Sequence, residues 1–433
     1  MAKQETVPLY KLPNIAGFLA FRVFFNARFY YPVFALLFLD FGLTLSEFSI
    51  SNLIWAVAIV ALEVPSGALA DVIGRKKLVL LAAVLMILEM GVLLLAQPNT
   101  GTTLLLLFCT NRFLSGAGEA MASGADEALA YDSLDEAGLA NRWSEVLEWQ
   151  TRLSSIAFFV AMLVGAAVYD PNVLNKVSGW FGWDANWTQA DTLKLPIWLT
   201  FANAWLAFLA ALTLKPTQGE RENDGVNPWT KVAEVGRRLW RKQNVLLVIL
   251  AAVLFDQAAR VSMTMSSKTF SAYGIGEVWF GVIGAGMALL GAFISKPARL
   301  LADNGTQRSI FWLLVGLSAL GLTGQAACGS PLGLLFVALL SIVMSLNGFF
   351  ASFYLNKMAD SKERATLLSF KGLCCNVGFG LISLYYSGVS ATWPSEEPAD
   401  YLRSLYSLGA YFALFTVAFL LYRRYRLKSA ESV

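Results

Sequence analysis

The sequence predicts an all-α membrane protein with twelve transmembrane helices arranged as two six-helix bundles. Of its 433 residues, 57% are hydrophobic and 15% are charged, whereas soluble domains carry about 25% charged residues. Apolar segments of about 20 residues, long enough to cross a bilayer as helices, recur along the whole chain. Successive loops alternate between many and few lysines and arginines, as expected if they lie on opposite sides of the predicted membrane.

The apolar segments are separated by short polar or glycine-containing turns. Together the segments and turns predict twelve spans, several of them long enough to require tilted helices. The spans lie near residues 16–39, 47–70, 77–96, 103–131, 145–169, 193–214, 245–272, 278–301, 308–328, 331–357, 364–390 and 401–422.

The distribution of lysine and arginine predicts the orientation. One side of the predicted membrane carries most of the basic loop residues, and the other carries little beyond Lys176 and Lys194. By the positive-inside rule, we expect both termini and the long central loop in the cytoplasm. The sequence therefore predicts a multi-pass protein of the plasma (inner) membrane. The basic side contains Lys3, Lys11, Arg75, Lys76, Lys77, Arg142, Lys215, Arg221, Lys231, Arg237, Arg238, Arg241, Lys242, Arg299, Arg308, Lys362, Arg364, Arg423, Arg424, Arg426 and Lys428.

A polar segment interrupts the pattern after the sixth span. Residues 215–244 begin with prolines and glycines and continue as a basic amphipathic stretch, which is typical of a helix lying at the membrane surface. The predicted organisation is an N-terminal six-helix bundle at 1–214, a cytoplasmic linker with an interfacial helix at 215–244, and a C-terminal six-helix bundle at 245–433.

A short internal similarity indicates a repeat. The string Leu69-Ala70-Asp71 ends the second span, and Leu301-Ala302-Asp303 ends the eighth, each followed by a glycine and then an arginine. Six spans separate the two strings, as expected for two parallel repeats of six helices.

The loop after the second span has the most specific local pattern, which runs from Gly67 through Asp71 and Gly74 to Arg75 and Lys76. Gly74 allows a tight reversal between two helices, and the basic residues anchor the loop at the inner leaflet. A hairpin whose charges only set the topology is the simpler interpretation. The string also resembles the loop signature of the major facilitator superfamily, Gly-x-x-x-Asp-x-x-Gly-Arg-Lys, at every defining position.

This resemblance implies a major facilitator fold that works by alternating access. It also implies an inner gate in which Asp71 and Arg75, with Asp132 at the end of the fourth helix, hold the two halves together. The fourth span contains Arg112 followed by Ser115-Gly116, which resembles the family's Arg-x-x-Gln-Gly motif with serine in place of glutamine. The resemblance implies that Arg112 tunes a nearby proton site.

Further charges lie inside the predicted spans. Arg112, Glu119 and Asp126 are seven residues apart, so a continuous helix would place them on one face. Each intramembrane charge costs at least about 2.5–3.5 kcal/mol, so this face must meet a cavity or partner charges. Two interpretations stay open at this point, a proton-coupling site and a structural ion-pair network.

Helix direction predicts partners by depth. Arg28 and Glu119 are expected near mid-bilayer, with Arg112 as the competitor for Glu119, and Arg22 and Asp126 are expected nearer the cytoplasm.

The remaining intramembrane charges lie on other spans. On the seventh span, Asp256 and Arg260 either line the cavity or satisfy each other as an i,i+4 pair. Glu63 and Glu89 are predicted to form peripheral pairs.

The functional prediction is secondary active transport. The chain has no histidine, no phosphate-binding Gly-Lys-Ser/Thr loop and no catalytic constellation, which predicts a non-enzyme without cofactor or metal, and a net charge of +3 is too small to indicate nucleic acid. We expect a monomer that exports a small organic or amphipathic solute in the manner of multidrug exporters. Protons are the expected coupling ion, because carboxylates can be neutralised in a low-dielectric cavity. Proton-driven or uncoupled uptake of a metabolite and a transporter-like receptor are the alternatives.

Overall fold

The described part of the protein is almost entirely helical. The computed structural model describes residues 14–183, 185–217, 230, 237, 242–358, 364–393 and 397–431. The first half contains α1 (Ile15–Asn26), α2 (Phe34–Asp40), α3 (Leu45–Ile73), α4 (Arg75–Leu95), α5 (Thr102–Ala122), α6 (Ala125–Glu136), α7 (Trp143–Tyr169), α8 (Pro171–Trp180), α9 (Gln189–Thr192) and α10 (Leu195–Thr213). The second half contains α11 (Gln243–Thr264), α12 (Ser266–Ala272), α13 (Val278–Asn304), α14 (Gln307–Ala327), α15 (Leu334–Met358), α16 (Arg364–Thr392), α17 (Pro398–Ser404) and α18 (Tyr406–Glu431).

Ten helical segments among the described residues are long and apolar enough to cross a membrane. Each coincides with one of the predicted spans. The fourth and eighth predicted spans are not among these ten. Helices α5 and α6 occupy the fourth, and α13, whose apolar part is Val278–Leu290, occupies the eighth. The helices therefore agree with the predicted fold class, and their positions are consistent with twelve spans.

Four of the predicted spans are not continuous helices. The first is divided between α1 and α2, the fourth between α5 and α6, the seventh between α11 and α12, and the twelfth between α17 and α18. The apolar runs located these spans but not their interruptions, because apolar periodicity records burial and carries little signal for a local break. The break in the fourth span is at Gly124, whose φ of +77° is a left-handed conformation that glycine adopts without strain.

The chain forms two compact units. Unit 1 contains Met1–Pro32 and Val57–Thr230, and unit 2 contains Val33–Ala56 and Lys231–Val433. The first predicted span and α3 therefore each contribute residues to both units. Most of the predicted linker, 215–244, lies outside the described residues, so the interfacial helix and the domain boundaries stay predictions.

Hydrophobic packing fixes the helices that carry the charged residues of unit 1. Its core is built from one face each of α1, α4, α6 and α10, with short side chains from α10 allowing close approach. Phe18 and Phe21 of α1 and Met86 of α4 are at most 1% exposed. These contacts pack α1 and α4 against α10, which positions the ionisable groups described next.

Candidate functional site

The break between α1 and α2 is held by side chains of neighbouring helices in unit 1. Asn203 Nδ2 of α10 donates to the carbonyl of Ala27 over 2.8 Å, and the backbone N–H of Phe29 donates to Thr200 Oγ1 over 3.0 Å. On α7, a Cβ added to Gly165 would lie only 1.8 Å from the carbonyl oxygen of Phe29. Backbone that leaves a helix within a membrane requires such partners, since no water replaces its hydrogen bonds. Unwound segments of this kind also lie at the binding sites of many transporters.

Arg28, inside this break, forms a buried ion pair with Glu89 of α4. Its Nη1 lies 2.5 Å from Glu89 Oε1, and the two side chains are 4% and 1% exposed. The same nitrogen donates to Tyr30 OH over 3.1 Å, and the guanidinium lies over the ring of Phe25. The prediction that Arg28 pairs with Glu119 is wrong, as is the prediction that Glu89 is peripheral. The depth argument assumed a continuous first helix, whereas the break turns Arg28 towards α4.

Arg112 of α5 lies close to this pair. It is 6% exposed and interacts electrostatically with both Arg28 and Glu89. Asn111 Nδ2 donates to the backbone carbonyl of Glu89 over 2.9 Å and joins α5 to α4. Ser115, the residue that departs from the family motif, has its hydroxyl 3.5 Å from Arg28 Nη1. The interior of unit 1 thus contains two guanidiniums and a carboxylate as a connected polar cluster.

Glu119 lies one turn beyond Ser115 on α5. Its side chain is exposed and interacts electrostatically with Glu63 of α3 and with Tyr31. Glu63 Oε2 is buried and has no hydrogen-bond partner among the described residues. Sequence reasoning placed both residues inside the membrane but did not bring them together, because no helix periodicity relates α3 to α5.

Arg22 and Asp126 form the ion pair that the sequence predicts. Arg22 Nε and Nη2 lie 2.6 and 2.9 Å from the two oxygens of Asp126, which is 2% exposed. Nη2 also contacts Glu127 over 2.8 Å. Because Gly124 breaks the helix, Asp126 sits in the first turn of α6 rather than on a continuous face with Arg112. The pairing prediction is therefore confirmed, and the single-face prediction is wrong.

The loop motif lies where the resemblance places it. Gly74 separates α3 from α4 with φ of +92°, and the Arg75 guanidinium forms an ion pair with Asp132 of α6. Lys76 follows in the first turn of α4 and is partly exposed. Gly67 and Asp71 lie on α3, but Asp71 is outside the described side chains. The pair formed by Arg75 and Asp132 is thus in place, and a gate role for it stays a prediction.

Asp256 and Arg260 form the predicted i,i+4 pair in unit 2, with 2.8 Å between Arg260 Nη2 and Asp256 Oδ2. The pair is not self-contained. Arg260 Nη1 donates to Asn376 Oδ1 of α16 over 3.0 Å, and Lys371 interacts electrostatically with Asp256. This pair therefore ties α11 to α16.

Long apolar helices, a broken first helix and ion pairs buried between helices define a multi-pass α-helical membrane protein. The chain matches the Major Facilitator Superfamily over residues 16–383 and belongs to this family of secondary transporters. Comparison with curated protein sequences gives no match.

Solved structures share the fold over nearly the whole chain. The nucleoside transporter NupG has a TM-score of 0.68 at 16% identity, covering 94% of this chain and 97% of that one. A bacterial homolog of the human lysosomal transporter Spinster, inward-facing and unoccupied, has a TM-score of 0.68 at 14% identity, covering 96% and 97%. A D-xylose-proton symporter has a TM-score of 0.63 at 14% identity, covering 93% and 95%. These likenesses show the fold.

Proposed function

We propose that this transporter exports a small organic or amphipathic solute across the plasma (inner) membrane in exchange for protons, with both termini in the cytoplasm. The observation that supports proton coupling is the set of ionisable side chains inside unit 1, centred on the break in the first helix. Buried charges are costly in a membrane protein, and those that remain commonly mark substrate or proton pathways. The proposed direction is export, by analogy with multidrug exporters. Proton-driven uptake of a metabolite is the alternative.

Glu119 and Asp126 are the proposed proton carriers. Glu119 interacts electrostatically with Glu63, and a second negative charge of this kind favours protonation of a carboxylate. Asp126 binds Arg22 through both oxygens. A proton on Asp126 would remove the negative charge that holds Arg22, so the pair can exist in a closed and a released state. Such a charge-dependent contact is the kind of local switch that biases a larger conformational equilibrium.

Arg75 and Asp132 are proposed to act as part of an inner gate, with Asp71 as the third member implied by the family motif. Their ion pair links the start of α4 to α6 in the described structure. A side-chain pair that is about a quarter exposed forms and breaks at small cost. This property suits a contact that opens once in every transport cycle.

The coupling proposal is tested in proteoliposomes. A thermal-shift screen of organic solutes first identifies a ligand, since a solute that binds the folded state stabilises it. Vesicles containing a pH-sensitive dye then report proton movement when that solute is added. Glu119→Gln and Asp126→Asn should each abolish proton-driven accumulation while solute-for-solute exchange continues.

Glu148→Gln is the matched control, because Glu148 forms an exposed surface pair with Arg152 on α7. This variant should transport normally. Normal proton-driven accumulation by both the Glu119 and Asp126 variants would remove these residues from the coupling mechanism. Proton movement opposite to solute movement indicates proton–solute exchange, as proposed for export, whereas movement in the same direction indicates proton-driven uptake.

A further inference from the structure

Unit 2 contains a cavity of about 150 Å³ whose lining includes none of the ion-paired residues described above. It is enclosed by α11, α14, α15 and α18. Its apolar wall includes four aromatic rings, those of Phe255, Phe311, Phe350 and Phe419. An apolar cavity of this volume holds a group of about the size of a benzene ring, so it suits a narrow hydrocarbon segment rather than a bulky solute.

The cavity opens at one end of these helices. Asn244, Gln307 and Arg308 lie in the first turns of α11 and α14, and Arg423 lies towards the end of α18. From Asn244 to Phe255 the wall follows α11 for about 16 Å at the usual helical rise. The cavity is therefore a slot with a polar mouth and an aromatic interior.

The mouth attracts anions. Arg308 and Arg423 line it, and within the described parts of the chain neither has an ion-pair partner. None of the residues lining the cavity is an aspartate or a glutamate. Arg308 also sits at the start of α14, where the helix dipole adds partial positive charge. A ligand that matches both ends is an anion with a hydrocarbon tail.

We propose that this cavity binds one anionic phospholipid from the surrounding leaflet. The phosphate lies between Arg308 and Arg423, and a segment of one acyl chain enters the slot between the phenylalanines. Both arginines belong to the basic residues that the sequence places at the cytoplasmic surface, where anionic headgroups are found. The bound lipid bridges α11, α14, α15 and α18 and therefore stabilises unit 2.

The experiment measures lipid binding to the detergent-purified full chain by native mass spectrometry and thermal shift. The probes are phosphatidylglycerol, zwitterionic phosphatidylcholine with the same acyl chains, and glycerol 3-phosphate as the headgroup alone. Phosphatidylglycerol should bind and raise the unfolding temperature, whereas the other two should do so weakly. The double variant R308Q/R423Q should lose about 25-fold in affinity for phosphatidylglycerol, since each surface arginine contributes a few-fold.

R424Q is the matched control, because Arg424 is exposed, adjacent to Arg423 in sequence and absent from the cavity wall. It should bind phosphatidylglycerol like the parent. Ala251→Phe fills the slot without changing charge and should also lose binding, while its unfolding temperature in phosphatidylcholine stays unchanged. Equal losses in R424Q and R308Q/R423Q would overturn the proposal, as would equal binding of the two lipids. Competition by glycerol 3-phosphate as strong as that by phosphatidylglycerol would also overturn it, because a free phosphate ester would then be the ligand.

Discussion

The first helix of each predicted repeat is broken, and both breaks have hydrogen bonds from uncharged side chains, but only the break in unit 1 contains a residue of a buried ion pair. In unit 1, Arg28 within the break forms a buried ion pair with Glu89 of α4. In unit 2, the break between α11 and α12 is adjacent to neutral groups. Ser262 Oγ donates to Gln325 Oε1 of α14 over 2.6 Å.

The two side chains lie on corresponding spans of the predicted repeat, Glu89 on the third and Gln325 on the ninth. Both are fully buried, with 0% exposure. Tyr273 OH also donates to the backbone carbonyl of Gln325 over 2.7 Å, so neutral hydrogen bonds join the ninth span to the residues on both sides of the break.

The comparison shows that the side chains hydrogen-bonded beside the break in unit 2 are uncharged, although the Asp256–Arg260 ion pair lies earlier on the same helix. Burying an ion pair carries a desolvation cost that hydrophobic or neutral replacements avoid. The neutral arrangement in unit 2 performs the same structural task without that cost. The buried charges at the break in unit 1 support the proposed location of the proton pathway, since such charges in membrane proteins commonly mark substrate or proton pathways.

The largest expected effect is on the buried ion pair. Arg28→Met or Glu89→Gln alone leaves one buried group without its partner, and each should lower the free energy of unfolding by about 3–5 kcal/mol. The double variant should recover much of that loss. Unfolding of all four proteins in detergent measures the coupling between the two side chains. Strictly additive losses would contradict a direct interaction between Arg28 and Glu89.

A smaller effect is expected at the neutral site. Gln325→Leu leaves the buried hydroxyl of Ser262 without its acceptor and should cost about 1–3 kcal/mol. Adding Ser262→Ala should restore part of the stability, because no unpaired hydroxyl then remains. Proton-driven transport per folded molecule should stay near the parent value, unlike that of Glu89→Gln. If Gln325→Leu and Glu89→Gln lowered stability and proton-driven transport by the same amounts, charge would not be what distinguishes the two units.

The smallest effect on stability is expected at the loop between α3 and α4. Arg75→Ala removes a pair that is about a quarter exposed, so the change in unfolding free energy should be at most about 1 kcal/mol. Transport should nevertheless fall, because a gate contact is lost rather than a core contact. Arg152→Ala removes an exposed pair on α7 and is the control. Equal transport by both variants would mean that Arg75 only sets the topology.

Several features of the site could be read from the sequence. The loop motif located Gly74, Arg75 and Asp132, and the first of these adopts the positive φ that a tight reversal needs. The depth argument paired Arg22 with Asp126 correctly, because it expected both at a similar depth, where an intramembrane charge without a partner is costly.

The Arg28 prediction failed for a physical reason. A single charge in an apolar segment shows that a partner exists, but the partner depends on where the side chain points. The break after Asn26 changes that direction, and its stabilising contacts come from Thr200 and Asn203, far away in the chain. Sequence spacing contains no information about such contacts.

By itself, the sequence determined that the chain crosses a membrane repeatedly, where most spans lie and which family motif it carries. These properties depend on local hydrophobicity and on short strings, which each segment possesses independently of the others. Only the tertiary structure decided which helices break, which charges meet and that four helices of unit 2 enclose an aromatic cavity with arginines at its mouth. Those outcomes depend on packing between residues distant in sequence, because the arrangement of neighbouring helices decides which side chain each residue contacts.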